Sequence, residues 1–258
     1  MRIGIRSRTL KGLRRVSALW RSSTELEQLV AMHRGLAMNK WRHYFEIYDR
    51  HCTRFRQRDI TLLEIGVGGG GSLQIWRKYL GPKARIFGLD SNPECKRLES
   101  AGTQIFIGNQ GDPNFLEHLA TEIGPIDILI DDGSHAYKDQ LATFRALFNH
   151  VRKDGLYICE DLCSSYWAEE FEGGLGRPGT YIEFLKQLID ELNAWFWREN
   201  VEAESNAFAT CVHGMHFYPS LVVIEKRRTD KPLITPVGRT PAVGHQTQIA
   251  GSDGRTSF

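Results

Sequence analysis

From Ile60 onward, short apolar runs alternate with longer segments in which apolar residues recur at helical spacing. Short continuous apolar runs are typical of strands that are buried on both faces of a parallel sheet. Their alternation with helices predicts such a sheet with helices on both faces. The predicted strands are Thr61–Gly66, Arg85–Leu89, Gln104–Gly108, Ile126–Ile130 and Leu156–Cys159. The predicted helices are Ser72–Tyr79, Pro93–Ser100, Asn114–Glu122, Tyr137–Arg152 and Tyr181–Trp195.

The pattern changes near the end of the chain. Thr210–Phe217 and Ser220–Lys226 are two apolar runs separated only by Tyr218–Pro219. So short a link permits only an antiparallel hairpin. A parallel sheet that ends in an antiparallel hairpin is the layout of class I methyltransferases rather than of nicotinamide dehydrogenases. The predicted fold class is therefore α/β, a Rossmann-like three-layer sandwich of the class I methyltransferase type.

The two ends of the chain differ from this middle part. A capping box at Thr24 starts a predicted helix at Glu25–Arg34, and a second helix is predicted at Arg42–Phe55. The basic N-terminus lacks the apolar core of a signal peptide and is expected to be a solvated extension; the alternative is a segment that touches a membrane, nucleic acid or a partner subunit. We predict a basic extension with cap helices at 1–58, a methyltransferase domain at 59–227 and a disordered tail at 228–258.

Composition excludes several classes of protein. The formal net charge is only +2, from 33 basic and 31 acidic side chains, so no nucleic-acid partner is expected. Five cysteines without a C-x-x-C pair argue against a disulfide framework or a zinc site and favour a reducing cytoplasm. The longest apolar stretches have the length of strands, so no stable membrane insertion is expected. These properties are compatible with a homo-oligomer.

Acidic residues follow two predicted strands. Ile126–Ile130 leads into Asp131 and Asp132, with His135 three residues further on, and the last parallel strand leads into Glu160–Asp161. Ligands of open α/β sheets bind beyond the carboxyl ends of the strands, so these side chains should converge. We expect Asp132, Glu160 and Asp161 to hold a divalent cation, with His135 as a base beside it. Oxygen ligands suit magnesium, manganese or calcium. The alternative interpretation is a set of helix caps and solvated turns.

A glycine-rich loop follows the first strand. Gly66, Gly68 and Gly71 satisfy G-x-G-x-x-G, and Asp90 follows the second strand where an acid that binds ribose belongs. This motif alone does not separate NAD from S-adenosylmethionine. Glu64, the hairpin at the end of the sheet and the polar segment 108–112 favour S-adenosylmethionine. Within that segment Gln110 and Asp112 are candidate cofactor contacts, and the alternative is a turn and a helix cap.

Four blocks of the sequence resemble a known family. E-I-G-V-G-G-G-G-S-L, G-L-D, I-D-D-G-S-H and E-D-L-x-x-S-Y-W are similar to blocks of the metal-dependent sugar O-methyltransferases of macrolide biosynthesis and of the rhamnosyl O-methyltransferases. The resemblance covers about Lys40 to Lys226. It implies metal ligation by Asp132, Glu160 and Asp161, proton abstraction by His135, and S-adenosylmethionine contacts by Glu64, Gly66, Asp90, Gln110 and Asp131.

Two positions depart from the family pattern. Asn109 stands where an aspartate is expected, and Glu172 interrupts an aromatic-glycine-glycine run. No two-histidine-one-carboxylate iron motif is evident along the chain.

The resemblance implies methyl transfer from S-adenosyl-L-methionine, assisted by Mg²⁺ or alternatively Mn²⁺. The expected acceptor is a hydroxyl on a sugar of a glycosylated small molecule, such as an antibiotic or a glycolipid. One alternative from the same fold is a catechol-type O-methyltransferase that acts on an aromatic diol. Alternatives from other classes are a nicotinamide-dependent oxidoreductase and a non-catalytic binding protein, although three potential metal ligands and a histidine argue against the last.

Overall fold

The computed structural model describes residues 24–197 and 206–238. Within them lies one seven-stranded sheet of order β3-β2-β1-β4-β5-β7-β6. β1 to β5 are parallel, and β7 runs antiparallel to both β5 and β6, which confirms the predicted hairpin. The strands are β1 Thr61–Ile65, β2 Arg85–Asp90, β3 Thr103–Ile107, β4 Ile126–Asp131, β5 Val151–Cys159, β6 Val212–Tyr218 and β7 Leu221–Lys226.

Helices cover both faces of this sheet and precede it. The described residues also form short 3₁₀ helices at Thr53–Phe55, Pro93–Leu98, Phe148–His150, Leu162–Tyr166 and Ala194–Phe196. The α-helices are α1 Glu25–Met32, α2 Tyr44–Cys52, α3 Gly71–Leu80, α4 Pro113–Ile123, α5 Tyr137–Leu147, α6 Ala168–Phe171, α7 Tyr181–Leu192 and α8 Ala207–Cys211.

The strand order creates a crevice beside β1. The chain passes from β1 outward to β2 and β3 and then returns to β4 on the other side of β1. Ligands of open α/β sheets bind at such a reversal, outside the carboxyl ends of the strands. Because β1 and β4 are buried along their whole length, the residues that can reach this crevice lie at and just beyond the carboxyl ends of the strands.

Two hydrophobic cores sandwich the sheet. In β1, Leu62 belongs to the core on one face and Leu63 to the core on the other, as the alternation of side chains along a strand requires. Burial on both faces explains the continuous apolar runs of the sequence. Leu26, Tyr44 and Tyr48 join the first core, so α1 and α2 pack against the sheet.

Most predicted elements are confirmed with shifted ends, whereas the helix predicted at Pro93–Ser100 is a 3₁₀ helix at Pro93–Leu98. Thr24 starts α1 with the predicted capping box, since its side chain accepts from the Glu27 amide and Glu27 accepts from the Thr24 amide. The predicted helix 137–152 was too long, because α5 ends at Leu147 and β5 already begins at Val151, which pairs with Ile126 of β4. Pairing with a neighbouring strand overrides the helical spacing there.

Several boundaries of the sequence prediction stay untested. The division at residues 58/59 and 227/228 remains a prediction, and residues 1–23 and 239–258 lie outside the described residues. Residues 228–238 form neither helix nor strand and are largely exposed. Among the described residues, no helix is long and apolar enough to cross a membrane.

Candidate active site

The glycine loop lies directly beyond β1. Gly66 has φ of 92°, and a Cβ there would lie 1.9 Å from the backbone oxygen of Asp132, so no other residue fits. Gly68 and Gly70 also have positive φ, and α3 begins at the next residue, Gly71. The loop therefore passes close to the end of β4 and presents its backbone to the crevice.

Asp90 fixes this loop. Its Oδ2 accepts the backbone amides of Val67 at 2.9 Å and Gly68 at 3.0 Å, and its Oδ1 accepts the Asn92 amide at 2.8 Å. A cavity opens beside Asp90, lined by Gly66, Asp90, Gly108, Gln110, Gly133 and Ser134 among others. The predicted cofactor residues Gly66, Asp90 and Gln110 therefore share one cavity.

Gln110 and Asp131 form a buried pair below that cavity. Gln110 donates to Asp131 Oδ1 at 2.6 Å and to Thr143 at 3.1 Å, while its own oxygen accepts the Ser134 amide at 2.9 Å. Burial raises the pKa of Asp131 to about 7. Its Oδ2 is buried without a hydrogen-bond partner, which leaves an acceptor for a ligand's hydrogen-bond donor.

Asp112 is a helix cap, which was the alternative to a cofactor contact. Its Oδ1 accepts the amides of Asn114 at 3.0 Å and Phe115 at 3.3 Å, so it is the N-cap of α4. Asn109 likewise accepts the Gly111 amide at 2.8 Å within the turn. A cofactor contact of Asp112 remains a prediction that no contact in the described chain supports.

Four carboxylates meet at the ends of β1, β4 and β5. The Asp132 amide donates to Ile65 O and the Glu160 amide to Asp131 O, both at 2.9 Å, so the parallel ladder continues one residue beyond the strands. Glu64, Asp132 and Glu160 each bring one oxygen within 4.8 Å of the others. Asp132, His135 and Asp161 form a second such set. The three predicted metal ligands thus converge, but they divide between two sets that share Asp132.

Lys40 is a site residue that the sequence prediction missed. Its Nζ lies 2.6 Å from Asp132 Oδ2, 2.6 Å from Glu160 Oε1 and 3.0 Å from Glu64 Oε1. Burial alone would lower the pKa of Lys40, but the charges of these carboxylates raise it well above its usual value. A buried ammonium among three carboxylates shows that the cluster is built to hold positive charge.

The buried carboxylates also have uncharged partners. Glu64 accepts from the Ser72 hydroxyl at 2.7 Å, and its Oε2 is buried without a partner. Tyr48 donates to Glu160 Oε1 in a short hydrogen bond. Burial raises the pKa of Glu64 and of Glu160, and the ammonium of Lys40 limits the rise.

Asp161 and His135 line a second cavity. Asp161 Oδ1 accepts from Tyr44 at 2.9 Å and from Trp41 at 3.0 Å, and its Oδ2 lies 3.5 Å from His135 Nε2. Both Asp161 and His135 have left-handed backbone conformations, with φ of 52° and 59°. Such conformations are uncommon in residues other than glycine and occur often at functional sites. Aromatic side chains of Trp41, Trp167 and Phe171 line this cavity.

The chain segment before β1 therefore supplies a wall of the site. Tyr44 and Tyr48 lie one turn apart on α2. In the sequence this spacing is also typical of side chains that only pack in the core, so it does not mark them as site residues. Lys40 and Trp41 lie in the loop before α2 and carry no spacing signal, because their partners lie 24 residues away (Glu64) or 92 to 120 residues away (Asp132, Glu160 and Asp161).

The sheet order, the hairpin and the glycine loop together define a class I methyltransferase fold. Residues 63–162 match the family described as a methyltransferase domain. A solved structure of the MycE methyltransferase of the mycinamycin biosynthetic pathway, in complex with Mg, SAH and mycinamycin VI, superposes with a TM-score of 0.72 at 32% identity. The match covers 84% of this chain and 57% of that chain.

Curated O-methyltransferases also match the chain. The 8-demethyl-8-(2-methoxy-alpha-L-rhamnosyl)-tetracenomycin-C 3'-O-methyltransferase of Streptomyces olivaceus is 36% identical over an alignment of 237 residues, which covers 86% of this chain and 60% of the relative. The mycinamicin VI 2''-O-methyltransferase of Micromonospora griseorubida is 35% identical over an alignment of 195 residues, which covers 71% of this chain and 48% of the relative. These matches confirm the predicted resemblance to sugar O-methyltransferases. The chain spans 47–60% of the length of the curated O-methyltransferases that it matches.

Proposed function

We propose that this protein transfers the methyl group of S-adenosyl-L-methionine to a hydroxyl on a sugar of a glycosylated small molecule, with the help of Mg²⁺. The observation that carries the proposal is the position of two cavities at one edge of the sheet. The cavity of the glycine loop adjoins the carboxylate cluster, and that cluster adjoins the aromatic cavity of His135. Relatives with sugar acceptors, and the MycE complex with Mg and SAH, support it.

The first cavity suits the methyl donor. Gly66 lets the backbone approach a ligand closely, and α3 points its N-terminus toward the loop. Asp90 keeps the loop in place, and its carboxylate can also accept from ribose hydroxyls. The carboxyl of Asp131, which has one unpartnered oxygen, accepts a hydrogen bond from Gln110, and Gln110 lines the same cavity. Donor and acceptor are thereby held close together, which supplies much of the rate of a displacement reaction.

The carboxylate cluster suits a hard cation. Asp132, Glu160 and Asp161 would hold Mg²⁺, which stabilises negative charge that develops on an acceptor hydroxyl. Because Lys40 contacts Asp132 and Glu160, its ammonium must withdraw from them for all three carboxylates to ligate one ion.

His135 is the proposed general base. His135 lines the aromatic cavity, where a sugar can pack against Trp41 and Trp167. A sugar hydroxyl is a poor nucleophile at neutral pH, and a base within hydrogen-bond reach removes its proton as the methyl group is transferred. The imidazolium that forms is stabilised by Asp161 Oδ2, 3.5 Å away.

The test is a transfer assay with tritiated S-adenosylmethionine. Label should pass to a rhamnosylated polyketide and not to its aglycone, should be lost with EDTA and should return with Mg²⁺. Transfer to a catechol but to no glycoside would favour the aromatic diol as acceptor. Tighter binding of NADH than of S-adenosylhomocysteine would refute the methyltransferase reaction itself.

A further inference from the structure

A second cluster of potential metal ligands lies away from the candidate active site. His51 of α2, His216 of β6 and Glu225 of β7 each bring one ligand atom within 4.8 Å of the others. No sequence motif predicts this cluster, because its members are separated by up to 174 residues. None of the five cysteines belongs to it.

The distances within the cluster suit a small tetrahedral ion. Glu225 Oε1 lies 3.1 Å from His51 Nδ1 and 3.9 Å from His216 Nε2. Ligands of zinc at bond lengths of about 2.0–2.1 Å lie about 3.3–3.4 Å apart in a tetrahedral site. Both observed separations lie within about 0.5 Å of that range, and the ligand atoms of the two histidines lie within 4.8 Å of each other.

The surroundings of His51 match those of a metal ligand. Its second nitrogen, Nε2, lies 2.9 Å from the hydroxyl of Tyr218. Histidines that bind metals commonly make such a hydrogen bond through the other ring nitrogen, which fixes the ring and the tautomer.

Hydrogen bonding alone leaves one atom of the cluster unexplained. The network Tyr218–His51–Glu225 is complete without His216, yet the Nε2 of His216 is buried and has no hydrogen-bond partner. An ion bound to Glu225 and His51 would give this nitrogen a partner. A Cβ added at Gly214 would meet only this nitrogen within 4 Å, so the backbone leaves space on that side.

We infer that His51, His216 and Glu225 form a site for a divalent transition-metal ion, with Zn²⁺ as the ion of choice, that joins α2 to the β6–β7 hairpin. Two imidazoles and one carboxylate favour zinc over magnesium, which prefers oxygen ligands. Three protein ligands leave a fourth position for water.

The location gives the ion a structural role. Tyr44 and Tyr48 of α2 contact Asp161 and Glu160, and His51 lies one turn further along the same helix. An ion that fastens His51 to the hairpin would therefore hold in place the helix that lines the active site.

The test is zinc binding by the full chain with Mg²⁺ in large excess, so that the carboxylate cluster is occupied. After removal of metals with a chelator, calorimetry and elemental analysis should show one equivalent of Zn²⁺ bound at micromolar or lower concentration. Zn²⁺ should also raise the melting temperature. His216→Ala should weaken zinc binding at least tenfold and abolish the thermal shift.

Matched variants separate this site from others. His213→Ala removes an exposed histidine of the same strand that contacts Arg227, and it should bind zinc like the parent protein. If His216→Ala does not fold, His216→Gln serves in its place, with folding checked by circular dichroism. Absence of a zinc equivalent, or equal zinc affinity in the His216 and His213 variants, would overturn the inference.

Discussion

Lys40 offers the sharpest test of how the carboxylate cluster is stabilised. Lys40→Met keeps most of the length of the side chain but removes the ammonium that contacts Glu64, Asp132 and Glu160. Removal of one partner from a buried ion pair costs about 3–5 kcal/mol, because the remaining charge is left buried. Without Mg²⁺ we therefore expect the free energy of unfolding to fall by about that amount at mildly alkaline pH.

The loss should depend on pH with a definite sign. Burial already raises the pKa of Glu64 and of Glu160, and loss of Lys40 raises both further. A carboxyl group whose pKa is higher in the folded state favours folding at low pH, and this contribution is lost as the pH rises through the folded pKa. The variant should therefore be destabilised less at mildly acidic pH, where the carboxyls take up protons, than at alkaline pH.

Urea denaturation with and without Mg²⁺ is the assay. Because Lys40 no longer competes for Asp132 and Glu160, Mg²⁺ should stabilise the variant more than the parent protein, by about 1.4 kcal/mol for each tenfold gain in affinity. Lys138→Met is the matched control, since Lys138 and Glu172 form an exposed pair at 3.4 Å. An unchanged free energy of unfolding in Lys40→Met, or equal stabilisation of variant and parent by Mg²⁺, would refute the reasoning.

Three further predictions concern the other site residues. His135→Ala should lower kcat by about 10²–10⁴-fold with S-adenosylmethionine affinity nearly intact, because only the base is lost; steady-state kinetics and calorimetry measure both. Asp90→Ala should weaken S-adenosylmethionine binding by about 1.5–3 kcal/mol, because hydrogen bonds to a charged group are lost; calorimetry measures this. The pKa of Asp131 is raised from 3.8 to about 7, so the free energy of unfolding should fall by about 1.4 kcal/mol per pH unit as the pH rises between these two values. Urea denaturation of the parent protein and of Asp131→Asn across this pH range measures the fall.

Each of these predictions has a matched control. His118→Ala removes an exposed histidine on α4 and should leave kcat unchanged; a folded His135→Ala variant that retains its rate would remove His135 from the mechanism. Glu94→Ala, just beyond the same strand as Asp90, should bind S-adenosylmethionine normally, and equal binding by both variants would contradict the role of Asp90. Identical pH slopes for the parent and Asp131→Asn would show that Asp131 keeps its ordinary pKa.

Much of the fold and half of the site could be predicted from the sequence. Strands buried on both faces need continuous apolar runs, and a short link between two runs leaves only a hairpin. Asp132 and Glu160 were predictable because each directly follows a strand, and adjacent parallel strands end at the same edge of the sheet. The parallel pairing of β4 with β5 therefore determines the tertiary position of both residues from their place in the sequence.

Only the tertiary structure decided what surrounds those carboxylates. Lys40 reaches Asp132 and Glu160 across 92 and 120 residues, and its charge is placed by the packing of the loop before α2 against the sheet edge. The division of the predicted ligands into two sets follows from the left-handed backbone of Asp161, which turns its side chain toward Tyr44 and His135. His51, His216 and Glu225 meet for the same reason, since α2 packs beside a hairpin formed much later in the chain. Contacts between distant segments leave no periodicity in the sequence, because they depend on how finished elements pack rather than on the spacing within any one of them.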